Sequence, residues 1–352
     1  MKILRYIGYR NWAIIDYNSC TENIFVIFYI ALVTQNYGWD FVITFFLFYL
    51  LSFLSISYGY LTNDLSDVTL DRLHKKQNVF QNDSKFKAKI VVIVYFLFAN
   101  IAAYPFFGKN HFLIFWVLWL FAATFYSLRP LRFKERGKWG LFTVVAAQRV
   151  LPGLLILTAF DYPISLHASI LIFYIANKGF ISDIRHQMED YTNDISTQTE
   201  TFAVRAGIEK VEKVFLYLLN IDLFLFSLFM FVLFTRSPWL LIGKMRLPFF
   251  TVFLIAYVII LTVYLVKRLI TNKIEAKSDP QYDKGYVNLL HIGIPSFYLP
   301  IWQLIFLCLA FPGNIIILLF FVLLITKCFS RDRIDSSLFM SAIRKVFRFS
   351  QR

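Results

Sequence analysis

Cysteine is scarce in this chain: Cys20, Cys308 and Cys328 are the only three among 352 residues. They show no paired spacing and two lie in apolar runs, which argues against a disulfide framework or a cysteine-ligated zinc site. Charge is scarce too. Charged residues make up 16% of the chain, where a soluble domain carries about 25%. What charge there is leans one way, to a formal +14. The basic residues form no single patch or arm but are spread over loops between apolar segments, so lipid headgroups explain them and nucleic acid does not. Met1–Asp16 lacks the continuous apolar core of a cleavable signal peptide.

Apolar residues are abundant instead, at 58% with 41 Phe, more than one water-soluble core can hide. A membrane-spanning helix needs about 20 mostly apolar residues. Ten segments qualify, at roughly 21–36, 40–61, 88–107, 111–127, 139–160, 165–182, 213–235, 248–266, 286–310 and 313–328. Backbone polar groups in lipid must be satisfied internally, so the segments are read as helices. The expected fold is an all-α, polytopic transmembrane helical bundle of nine to ten spans. The basic, aromatic leader Met1–Tyr17 suits the interface. With ten spans and a cytoplasmic N-terminus, 31 of the 36 Lys and Arg residues fall on the cytoplasmic side and four outside, counting those at span ends with the adjoining loop. Arg149 remains inside a span. This asymmetry favours ten crossings and puts the basic tail in the cytoplasm.

Four polar stretches, 63–87, 129–138, 182–213 and 267–284, fall on that same side, and three of them carry chemistry. The second span runs into Asn63-Asp64-Leu65-Ser66-Asp67-Val68-Thr69-Leu70-Asp71. On a helix Asp64, Asp67 and Asp71 share one face, joined by Asn63. The sixth span runs into His186-Gln187-Met188-Glu189-Asp190-Tyr191-Thr192-Asn193-Asp194, where Gln187, Asp190 and Asp194 repeat the spacing. Five carboxylates converging on one cavity need positive charge between them. Mg²⁺ binds through one or two carboxylates together with substrate phosphates, so two such faces are read as Mg²⁺–diphosphate sites. Between them in sequence lies Tyr126-Ser127-Leu128-Arg129-Pro130-Leu131-Arg132-Phe133-Lys134. Its Arg132 and Lys134 suit the neutralisation of a departing diphosphate.

These three stretches, Asn-Asp-x-x-Asp-x-x-x-Asp, Tyr-x-x-x-x-x-Arg-x-Lys and Asp-x-x-x-Asp, resemble the signatures of the UbiA superfamily of intramembrane prenyltransferases. Thr201 and Arg205-Ala206-Gly207 extend the likeness, which covers roughly residues 1–310. The resemblance implies a helical bundle around a lateral, lipid-facing cavity. In it Asn63, Asp64, Asp67, Asp71, Asp190 and Asp194 would hold two Mg²⁺ ions, and Tyr126, Arg132 and Lys134 would bind and help expel the diphosphate of a polyprenyl diphosphate donor. A small acceptor would then attack the allylic carbon. The domain expectation is a membrane domain over 1–312 followed by an apolar segment and basic tail over 313–352.

Gln187 stands where many members carry a third carboxylate, and as a metal ligand it offers only a neutral oxygen. His186 is a candidate general base. Arg149 and Lys178, charged residues within spans, should face the cavity, where they could contact diphosphate or acceptor. Fewer negative and more positive charges suit a hydroxyl acceptor with an anionic group of its own. Asp222 with Asn220, and His291, are read as interhelical hydrogen-bonding residues. Other readings are a UbiA-type terpene cyclase, a transferase like those acting on polyprenyl phosphate and a phosphorylated ribose (suggested by Asp71-Arg72-Leu73-His74), and a lipid transporter.

Overall fold

The computed structural model describes residues 6, 14, 18–73, 76–197, 199–242, 245–247, 249–271 and 289–328. Most of the leader, His74 and Lys75, most of the 267–284 loop and the basic tail lie outside these.

Helices form on all ten predicted segments. They are α1 (Ile24–Thr34), α2 (Trp39–Leu73), α3 (Lys85–Ala103), α4 (Phe112–Ser127), α5 (Lys138–Ala159), α6 (Leu166–Glu189), α9 (Ile208–Arg236), α10 (Phe249–Thr271), α11 (Leu289–Ala310) and α12 (Ile315–Cys328). Two short helices, α7 (Tyr191–Ser196) and α8 (Phe202–Ala206), follow α6. Six of the described helices, α2, α3, α5, α9, α10 and α11, are long and apolar enough to cross a membrane. The protein is therefore a multi-pass, all-α membrane protein. Its one departure among the described residues is a two-stranded antiparallel hairpin, β1 (Leu240–Ile242) with β2 (Met245–Leu247), which the sequence pattern had left as loop.

The chain divides into two compact units. One holds Met1–Asn23 and Ile43–Phe215, the other Ile24–Val42 and Leu216–Arg352. Lipid-facing stripes are plain in both. Ile93, Leu97 and Ile101 are exposed on α3, and Val252, Ile255 and Ile259 on α10. Apolar surface of this kind is tolerated only where the solvent is itself apolar.

Helix length positions the chemistry in the first unit. The 35 residues of α2 extend about 52 Å, well beyond a hydrocarbon core of about 30 Å. The turns from Asn63 onward therefore carry the aspartates past the apolar part of the helix. The 24 residues of α6 do the same for Asp183 to Glu189. In α5 the backbone widens into a π-turn at Ala146–Val150, and Trp119 Nε1 donates to Ala147 O at 2.8 Å.

In the second unit every residue of α1 from Ile24 to Leu32 is buried. Gln303 Nε2 donates to Phe25 O at 3.1 Å, and α11 opens as a π-helix over Leu289–Tyr298 with Pro295 inside. His291 Nδ1 lies 2.5 Å from Asp222 Oδ2, both buried, and Arg268 donates to Asn220 Oδ1 at 2.6 Å. All three residues thus engage other helices, as expected of polar groups within spans.

Candidate functional site

The aspartates of α2 meet the basic stretch directly. Asp64 and Asp67 are buried. Lys134 Nζ donates to both oxygens of Asp67, to Oδ1 at 2.6 Å, and to Asn63 Oδ1 at 3.2 Å. Arg132 Nη2 donates to Asp67 Oδ1 at 3.1 Å, while its Nε donates to Glu135 Oε1 at 2.5 Å. Ser127 Oγ donates to Asn63 Oδ1 at 2.8 Å.

This convergence follows from how α4 ends. Leu128, two residues before Pro130, is extended and ends the helix. Arg132 then takes the left-handed conformation (φ 39°, ψ 59°) and caps a short 3₁₀ turn, Phe133–Glu135. A non-glycine residue held there is strained, a feature found at functional sites. Gly137 follows at φ +54°, a backbone that L side chains rarely adopt. A Cβ at that position would sit 2.8 Å from Arg205 Cδ. Gly137 N donates to Glu200 O at 3.2 Å, so the basic loop is stitched to the segment that follows the second acidic stretch.

That stretch is bent where the sequence suggested one unbroken face. α6 ends at Glu189, and Asp190 links it to α7 at φ −90°, ψ 0°, a sparsely populated region where active-site residues often sit. Helical hydrogen bonds run through the bend: Asp190 N donates to His186 O at 3.0 Å and Asp194 N to Asp190 O at 2.8 Å. Asp190 and Asp194 thus stay one turn apart. His186 is exposed, with Nε2 3.6 Å from Asp190 Oδ2. Burial raises the pKa of Asp194 most, with the Asp190 charge adding to it, while a hydrogen bond from Thr201 works the other way.

Gln187 is committed to the protein itself. Its Oε1 accepts from Ala203 N at 3.1 Å and its Nε2 donates to Asp183 Oδ2 at 2.7 Å. Tyr126, at the end of α4, lies within electrostatic reach of Asp183, Asp67 and Asp194, so the two acidic stretches approach each other at this ring. Lys178 packs its ammonium over Tyr174, 5.7 Å from the centroid. Arg149, on the π-turn of α5, pairs through Nη1 with Glu22 Oε2 at 2.5 Å. Every residue of this site belongs to the first unit.

Three participants were missed in sequence. Asp183 sits one turn ahead of Gln187, a spacing that would have revealed it. Glu22 gives no local signal. Asn78 is buried and donates through Nδ2 to Asp71 Oδ2 at 2.7 Å and to Asp64 O at 2.8 Å. It thereby holds the third aspartate of α2 in place.

The electrostatics of the first face are unbalanced. Burial lowers the pKa of Lys134 below its ordinary value even though Asp67 and Glu135 push the other way. Desolvation, with the like charge of Arg132 beside it, therefore outweighs the attraction. A further anion beside it is favoured. Among the described residues no three His, Cys, Asp or Glu side chains come together as a ready-made metal cage. The donor set is hard carboxylate oxygens in separate small groups, and it fits Mg²⁺, which needs one or two carboxylates and completes its shell with waters and substrate phosphates.

A family model described as the UbiA prenyltransferase family matches residues 24–279. No curated protein matches the chain by sequence. Among solved structures, a UbiA homolog from Archaeoglobus fulgidus bound to GPP and Mg²⁺ superposes with a TM-score of 0.58 at 18% identity, covering 87% of this chain and 99% of that one. The same homolog bound to DMAPP and Mg²⁺ gives 0.56 at 18% identity, over 89% and 98%. A digeranylgeranylglyceryl phosphate synthase gives 0.52 at 17% identity, over 90% and 99%.

Proposed function

The chain belongs to the UbiA prenyltransferase family, and from that premise we propose that it transfers a polyprenyl group from a polyprenyl diphosphate to a small acceptor, with Mg²⁺. The observation that carries the reading is the pair of cations, Lys134 and Arg132, clamped together onto Asp67 beside Asn63. A half-buried cation pair held on a carboxylate of a metal-type face is suited to an incoming anion that brings its own cation.

Asp64, Asp67 and Asp71 on α2, with Asp190 and Asp194 beyond α6, would hold the metal against the diphosphate. Bound there, Mg²⁺ would neutralise charge on the leaving diphosphate. Lys134 and Arg132 would turn from Asp67 to the diphosphate oxygens, where the arginine fork suits two of them at once. The Tyr126 hydroxyl, placed where the acidic stretches meet, would donate to the same oxygens as the bond to the allylic carbon breaks. Asn78 and Gln187 take no part in the chemistry and hold Asp71 and Asp183 in register. The orientation that the basic residues favour puts this site and the N-terminus on the cytoplasmic side.

The test uses purified protein in detergent with a labelled polyprenyl diphosphate and a panel of phenolic, carboxylated and phosphorylated alcohol acceptors. Asp67→Ala and Asp190→Ala should each abolish product formation, as EDTA does, while the variants still elute as folded protein. Metal-independent turnover in either variant overturns the reading.

A further inference from the structure

Arg149 is a charged residue within an apolar helix, and such residues persist where they serve a cavity. Two features of the chain accommodate it. The π-turn Ala146–Val150 resets the helix at this point, and π-turns recur at functional sites. Opposite it α6 carries Gly179, where a Cβ would lie 2.6 Å from Arg149 Cγ. Any larger residue would push the arginine stem away. The guanidinium so placed pairs through Nη1 with Glu22, while its Nε is buried with no hydrogen-bond partner. Neither side chain is sealed, for 16% of Arg149 and 26% of Glu22 remains open. Charged groups within spans face the bundle interior or a water-filled cavity, so the open part of this pair is read as facing a cavity rather than lipid.

We infer that Arg149 is the seat for an oxyanion, phosphate or carboxylate, carried by the acceptor, and that Glu22 occupies the seat until the acceptor displaces it. This rests on the prenyl-transfer reading above and assigns Arg149 to the acceptor, not to the donor. Glu22 reaches one terminal nitrogen of the fork, and a planar or tetrahedral oxyanion in its place can bridge the two terminal nitrogens, Nη1 and Nη2, where a single Glu22 oxygen satisfies one. An acceptor anchored there lays its remaining polar groups along the next turn of α6. Asp183, within electrostatic reach of Arg149 and oriented by Gln187, faces them on the way to Asp190. A carboxylate tethered in the chain competes like a free anion at about millimolar concentration, so its removal should be felt as tighter binding.

The experiment titrates inorganic phosphate into protein in detergent by calorimetry, with and without saturating Mg²⁺ and an unreactive prenyl thiodiphosphate. With the donor site filled, wild-type protein should still bind phosphate. Glu22→Gln should tighten that binding about tenfold, Arg149→Gln should abolish it, and Arg149→Lys should restore part of it, with the affinity for the thiodiphosphate the same in all. Should Arg149→Gln fail to fold because Glu22 is left unpaired, Glu22→Gln/Arg149→Gln removes both charges and should also bind no phosphate. Unchanged phosphate binding in Glu22→Gln, or retained binding in either Arg149→Gln background, overturns the inference. Failure of wild-type protein to bind the thiodiphosphate would instead overturn the prenyl-transfer reading, and the titrations without it still decide the role of Arg149.

Discussion

The Lys134–Asp67 contact should couple the two residues in the ligand-free protein and lose that coupling when donor and metal bind. At 2.6 Å, two unit charges attract by about 6 kcal/mol in an effective dielectric of about 20. Each residue's own desolvation cancels in a double-variant cycle, and a charge-assisted hydrogen bond nets about 1.5–3 kcal/mol. Because Arg132 also pairs with Asp67 and can compensate for the lysine, the low end applies, about 1.5 kcal/mol. Asp67→Asn, Lys134→Met and the double variant form the cycle, read as thermal unfolding in detergent with EDTA. At about 2–4 °C per kcal/mol, the coupling should appear as roughly 3–6 °C of non-additivity. With Mg²⁺ and a prenyl thiodiphosphate added, Asp67 turns to the metal and Lys134 to the diphosphate, so the non-additivity should fall toward zero. Additive behaviour in EDTA, or an undiminished coupling with ligand, would refute the exchange.

Asp194 holds its proton to a higher pH than an ordinary carboxyl, and a metal needs the ionised form. Mg²⁺–thiodiphosphate affinity should therefore rise with pH through the window above 3.8, and Asp194→Asn should weaken binding and remove its share of that slope. Gly137→Ala imposes a side chain on a glycine backbone and against Arg205, a loss of about 2 kcal/mol visible as a lower unfolding temperature and a higher KM for donor. Asn78→Leu leaves Asp71 Oδ2 and Asp64 O without their shared donor; donor affinity should drop several-fold, and an unchanged affinity would show that Asp71 needs no tether. In a background without Cys20, Cys308 and Cys328, a cysteine at Arg136 should react with impermeant maleimide only after the cytoplasmic face is opened, and labelling in intact cells would reverse the orientation.

What the sequence revealed was what repeats locally. Asp64, Asp67 and Asp71 share a face because helical spacing alone fixes it, and the long apolar runs announced the helices. Contacts across the fold were silent. Nothing near Glu22 hints at Arg149, 127 positions away, and nothing near Asn78 marks it as the tether of Asp71. Gln187 looked like a substituted ligand because its neighbours are acidic, yet its amide is shared between Asp183 and the Ala203 backbone. The bend at Asp190 and the π-turns of α5 and α11 escaped because local composition does not distinguish them from regular helix. The hairpin at 240–247 escaped because its strands are three residues each, too short for an alternating pattern to register.

The first helix poses a problem of timing. From Ile24 to Leu32 it has no outward side, and Phe25 O is met by Gln303, a residue made almost 280 positions later. During synthesis this helix must wait in lipid, which is nearly as apolar as its final surroundings and so costs it little. The aspartates of α2 and those after α6 are complete long before it is covered. Chains halted anywhere between the second acidic stretch and α11 would therefore carry both acidic stretches together with an unmated helix, and quality-control proteases that patrol the membrane would have that helix to seize.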